Sequence, residues 1–144
     1  MFFRAAELIE DLRQFERDGA MPNLIIICLP KDHTFGTKAG TPTPAAQVAD
    51  YDLAFGQIVE AISRSKFWKE TCILRLKTIH KTVVGPRVSG YRTTAYVISP
   101  FTKRGSVISE NYNQTSILRT MELILGLRPL NQMDSTARPM SVVS

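Results

Sequence analysis

The run Leu24-Ile25-Ile26-Ile27-Cys28-Leu29, followed by Pro30-Lys31-Asp32-His33-Thr34, constrains this chain more than any other stretch. An unbroken apolar run, β-branched in its middle and closed by proline, reads as a strand buried on both faces. Strands of that kind belong to open α/β sheets, where chemistry collects just past their carboxyl ends. Asp32 and His33 stand at that point. An adjacent carboxylate and imidazole are ligands suited to zinc, manganese or iron. The other reading of an Asp-His pair in a polar loop is a surface turn.

Helical patterns flank the strand. Leu8, Ile9, Leu12 and Phe15 share one face of residues 5–17, with charges elsewhere, and Gly19 and Pro22 end the helix. Phe35 to Pro44, rich in Gly, Pro and Thr, reads as an ordered loop or lid. A long helix is expected from Pro44 to Ser63–Ser65, burying Val48, Tyr51, Phe55, Ile58, Val59 and Ile62. Phe67 and Trp68 read as core residues before a second strand, Thr71–Leu74. Strand, helix and strand make a βαβ unit, which implies parallel pairing. Residues 77–84 alternate weakly, as an edge strand would. Thr93–Ser99 reads as a third strand, closed by Pro100, and Val107–Ser109 as a short extension. A last helix, capped by Asn113 or Thr115, carries Ile117, Leu118, Met121, Leu123, Ile124 and Leu125, with Gly126 as its stop. The tail from Asn131 has little periodicity. The order of elements predicts an α/β layer fold.

The 144 residues suffice for one domain, and a 44% hydrophobic, 22% charged composition is that of a soluble globular protein. Apolar runs fall short of the ~20 residues that span a membrane, and Met1-Phe2-Phe3-Arg4 is too short for a signal peptide. Cys28 and Cys72 lie in expected strands, so buried free thiols are expected rather than a disulfide. The net charge of +5 is modest, but it is unevenly placed. Arg75, Lys77, Lys81, Arg87 and Arg92 follow one another with no acid between them. The run lacks interleaved aromatics apart from Tyr91, which argues against nucleic acid as its partner.

Longer motifs carry a resemblance. Pro22 through Thr34, Gly36-Thr37, Pro42-Thr43-Pro44, Val48-Ala49-Asp50 and Asp52-Leu53-Ala54 stand in the same order as in a known family. So do Ser65-Lys66-Phe67-Trp68-Lys69, Val97-Ile98-Ser99-Pro100, Thr102-Lys103-Arg104-Gly105 and Tyr112-Asn113-Gln114-Thr115-Ser116. Together they cover roughly residues 5–75 and 88–140. They resemble the C-terminal half of bacterial phosphoesterases of the alkaline-phosphatase superfamily, in the branch associated with YncE-like β-propellers. That resemblance implies a partial three-layer α/β/α sandwich with a mainly parallel sheet, a single incomplete domain over residues 1–144, and hydrolysis of phosphate esters. It implies two divalent metal ions, zinc, manganese or similar, about 4 Å apart. Asp32 and His33 match the family's Asp-His-Thr motif and are carried over as metal ligands. The nucleophile lies in the family's N-terminal half, so that half, as a separate chain, is an expected partner. Intact relatives are often exported.

The pattern breaks after the second strand. The family places Glu-Asp-Asp-Pro-Gln and then Gly-Trp-Asp-His-Val there, whereas this chain reads Lys77-Thr78-Ile79-His80-Lys81 and Val84-Gly85-Pro86-Arg87. The first run can be written AAG ACG ATC CAC AAA. With a preceding G it regroups as GAA GAC GAT CCA CAA, or Glu-Asp-Asp-Pro-Gln. The second can be written GTG GGA CCA CGT. Without its first base, and with a following G, it regroups as TGG GAC CAC GTG, or Trp-Asp-His-Val. Residues 75–90 are therefore read as a frameshifted segment, in frame again by about Val88. A di-metal site needs carboxylates to offset its charge, and Lys77, Lys81 and Arg87 bring the opposite sign. His80 reads as a surface histidine. Local disorder or poor packing is expected from about Arg75 to Gly90. No catalytic residue is assigned: Ser99, Thr102 and Ser116 lack a nucleophile elbow and read as structural, and Lys103 and Arg104 read as a solvated turn. The chain alone is expected to be a phosphoesterase fragment with little turnover; the alternative is a non-catalytic α/β module that binds a partner.

Overall fold

The computed structural model describes residues 2–29, 34–36, 38–77 and 93–140. Among the described residues, four α-helices and one short antiparallel sheet follow in the order α1 (Phe2–Asp18), α2 (Pro44–Arg64), β1 (Ile73–Leu76), β2 (Ala95–Ile98), α3 (Gln114–Leu125) and α4 (Gln132–Ser135). One 3-10 turn, Trp68–Glu70, precedes β1.

The helices form where local chemistry predicts them. α1 ends at Gly19, whose φ of 79° is left-handed and whose N–H donates to the Phe15 carbonyl at 2.9 Å. α2 opens with Pro44 in its first turn, and the Thr43 hydroxyl caps it by accepting from the Ala46 N–H at 3.2 Å. In α3, Asn113 and Ser116 form a reciprocal capping box, and Gly126 ends the helix at φ 67°. The unpatterned tail holds a further helix, α4, with Asn131 and Asp134 as its own capping box.

The core is small. Ala5 of α1 meets Ala54 and Ile58 of α2, all essentially inaccessible, and Leu8, Leu29 and Ile62 pack around them. The buried stripe of α2 is Gln47, Tyr51, Ala54 and Ile58. Val48, expected inside, is exposed instead. Glu16 ties the helix pair at its far end by accepting from the Lys66 N–H at 3.2 Å.

The expected sheet differs most. β1 pairs antiparallel with β2, in the register Ile73↔Ile98 through Leu76↔Ala95. Neither a parallel pair nor a three-layer sandwich is present among the described residues. Leu24–Leu29 is not a strand there, and Leu24, Ile25, Ile26 and Ile27 are 50%, 38%, 85% and 40% exposed. The reason is pairing: an apolar run becomes a buried strand only when other strands cover its edges, and no described strand lies beside it. Cys28 is accordingly an exposed free thiol, whereas Cys72 is half-buried and burial pushes its thiol pKa up. Val107 is exposed and extends no strand.

Arg75 is the second departure. The pattern was expected to fail there, yet Arg75 lies within β1. Its Nε donates to the Tyr51 hydroxyl at 2.8 Å, and its guanidinium lies 5.0 Å from the rings of both Tyr51 and Tyr96. Aromatic faces and a hydroxyl let a strand hold a charge where a carboxylate is missing. The suspected frameshifted segment otherwise lies outside the described residues from Thr78 to Gly90, as do His80 and the possible edge strand beyond Lys77.

Candidate functional site

Asp32 and His33, the expected metal ligands, lie outside the described residues, together with Pro30 and Lys31. What can be built is the frame on either side of them. On the entering side, Leu29 packs against the Ala5–Ala54–Ile58 cluster, and the Arg4 guanidinium donates to the Cys28 carbonyl at 2.7 Å. A shallow groove runs between α1 and Ile25–Cys28, lined by Arg4, Glu7, Leu8 and Asp11.

On the leaving side the chain is tied to α2 by Gln47. This side chain is 3% exposed. Its Oε1 accepts from the Phe35 N–H at 3.1 Å and its Nε2 donates to the Pro42 carbonyl at 2.7 Å. One buried amide thus closes both ends of the loop that follows His33, which satisfies the rule that buried polar groups find partners. Sequence reasoning missed Gln47 because a glutamine on a helix reads as solvent-facing. The available signal was its place four residues before Tyr51, on the stripe that continues through Ala54 and Ile58.

Thr34 has φ 53°, which a β-branched residue rarely adopts. Its hydroxyl accepts from the Gly36 N–H at 3.4 Å. Holding Thr34 there costs on the order of 1–2 kcal/mol. Such strain persists only where surrounding contacts impose it, and the Gln47 clamp supplies them next to the Asp-His pair.

The other residues weighed for chemistry are structural. Ser99 Oγ accepts from the N–H groups of Phe101 and Thr102 and lies 2.8 Å from Thr102 Oγ1, closing the turn after β2. Ser116 is buried in the α3 capping box. Lys103 and Arg104 are exposed. Among the described residues, no three His, Cys, Asp or Glu side chains gather where they could hold a metal ion. The described donors therefore do not make a metal centre. Among the described residues no helix is long and apolar enough to cross a membrane.

The protein-family model described as "Phosphoesterase family" matches residues 3–128, most of the chain. No curated protein and no solved structure matches it.

Proposed function

The chain belongs to the Phosphoesterase family, and on that premise we propose that it carries the C-terminal portion of a metal-dependent phosphate ester hydrolase and turns over little substrate by itself. The alkaline-phosphatase superfamily, in its YncE-associated branch, is the finer placement proposed. The observation that carries the reading is the family match over residues 3–128, which spans the segment where the resemblance places an acidic signature and this chain has Lys77, Lys81 and Arg87. In this proposal Asp32 and His33 keep their place as ligands of a divalent ion such as zinc or manganese. The strained Thr34 and the Gln47 clamp support it, because they fix the chain directly after the pair. The ion would supply charge to polarise the phosphate. The basic segment argues against tight binding: a cation site needs carboxylates to offset its charge, and Lys77, Lys81 and Arg87 stand where the resemblance places acids.

The assay is hydrolysis of an aryl phosphate by the purified chain with added Zn²⁺ or Mn²⁺. Turnover at the level of the chelated blank is expected, and metal-dependent turnover would refute the proposed inactivity.

A second reading has its own observation. Leu24–Ile27 is exposed and apolar beside α1, where a partner polypeptide would cover it. In that case the chain is a non-catalytic module, and a separately encoded N-terminal half is the proposed partner. Mixing the two chains discriminates: a stable complex supports this reading, and activity restored on mixing supports the first.

A further inference from the structure

The hairpin formed by β1 and β2 sits in a stretch with no counter-charge of its own. No Asp or Glu occurs between Glu70 and Glu110, while seven Lys and Arg do. Arg75 is the one whose surroundings are best defined. Its Nε donates to Tyr51 Oη at 2.8 Å, and its Nη1 donates to Thr94 Oγ1 at 3.4 Å. The rings of Tyr51 and Tyr96 each lie 5.0 Å from the guanidinium carbon. Those rings are themselves held through Phe55, stacked 6.3 Å from Tyr51 and tilted 6.5 Å from Tyr96.

Three consequences follow from this geometry. The guanidinium is immobilised before any ligand arrives, so binding costs little further side-chain entropy. Among the described residues no carboxylate pairs with it. The rest of its planar N–H fork is without a described acceptor, and a half-buried cation in that state favours an anion from outside. Lys77 follows just past the end of β1, with its backbone N–H on the Thr94 carbonyl at 3.3 Å. Two positive charges this close in the chain disfavour a divalent cation and suit a tetrahedral oxyanion, which a guanidinium fork can grip through two parallel bonds.

We propose that Arg75, backed by Tyr51 and Tyr96 and flanked by Thr94 and Lys77, binds the phosphoryl group of a phosphate or phosphate monoester without a metal. The site rests on β1, β2 and Tyr51 of α2, and it stands or falls independently of the metal-ligand reading of Asp32 and His33.

The test is calorimetric titration of the full chain with inorganic phosphate and, separately, phenyl phosphate. EDTA is present throughout and ionic strength is held with chloride. Saturable binding is expected, accompanied by a change in the near-ultraviolet circular dichroism of the tyrosines. Arg75→Lys keeps the charge but loses the fork and the stacking, so it should weaken binding at least ~10-fold. Thr94→Ala removes one flanking hydroxyl and should weaken binding about 3-fold; it serves as the second variant if Arg75→Lys alters the far-ultraviolet spectrum. Equal affinity for the two probes identifies the phosphoryl group as the whole ligand, and tighter phenyl phosphate identifies a monoester. No saturable binding of either probe, or unchanged affinity in folded Arg75→Lys and Thr94→Ala, overturns the proposal. Because metal is chelated throughout, failure here leaves the aryl phosphate assay to judge the hydrolase reading.

Discussion

Ile58→Ala is expected to unfasten the α1–α2 helix pair. Ile58 is 3% exposed and touches Ala5 and Ala54, both fully buried. Removing its outer carbons forfeits a transfer free energy of about 2 kcal/mol. A cavity term adds to this, and here it should stay large. Neighbouring Ala5 and Ala54 carry only methyl groups, too short to fill the space, so Leu8, Leu29 or Ile62 or the helices themselves would have to move to close it. Better helix propensity returns a few tenths of a kcal/mol. The expected loss is about 3 kcal/mol, in the middle of the range for such truncations. Leu29 packs on the same cluster, so its own packing loosens as well. Urea unfolding followed by helical circular dichroism measures the effect. Leu53→Ala on the same helix is the control: Leu53 is 53% exposed, and its loss should stay within about 0.5 kcal/mol. Equal shifts of the two midpoints would refute the argument that the α1–α2 contact is the core.

Other outcomes follow from particular groups. Gly126→Ala places a Cβ at φ 67°, where nothing crowds it but the backbone itself disfavours it, so a loss of about 1 kcal/mol is expected in thermal unfolding. For Asp134, burial raises the carboxyl pKa, but the N–H groups of Asn131 and Leu130, with the Glu122 side chain, outweigh it and hold the group below the usual carboxylate range. Its contribution to stability is therefore complete above the ordinary unfolded carboxylate range and is lost as pH falls through the depressed value. Amide protection at Leu130 and Asn131, which donate to Asp134 at 2.8 and 2.9 Å, should fall as pH drops below the ordinary carboxylate range, and no fall would contradict this. The nucleotide sequence across Arg75–Val88 should regroup into the acidic and Trp-Asp-His codons. Codons that cannot be regrouped would leave ordinary divergence as the origin of the basic run.

The helices were legible because their determinants are local. Gly19, Thr43, Pro44, Asn113 and Gly126 mark ends through hydrogen bonds and backbone angles spanning a few residues. These cues survive without knowledge of the rest of the molecule. The family was legible too, since long collinear motifs such as Pro22–Thr34 do not depend on packing. What the sequence could not decide was which apolar stretch would be covered. Leu24–Leu29 has the composition of a buried strand, but burial of a strand is a property of its neighbours, and the described structure provides none. The same holds for Gln47 and Arg75. Gln47 is inside because two loop backbone groups converge on its amide. Arg75 stays in a strand because Tyr51 and Tyr96, distant in sequence, close on its guanidinium. Composition and periodicity set what each segment could become. The contacts between segments, which carry the non-local part of the free energy, decided which of those possibilities the chain adopts.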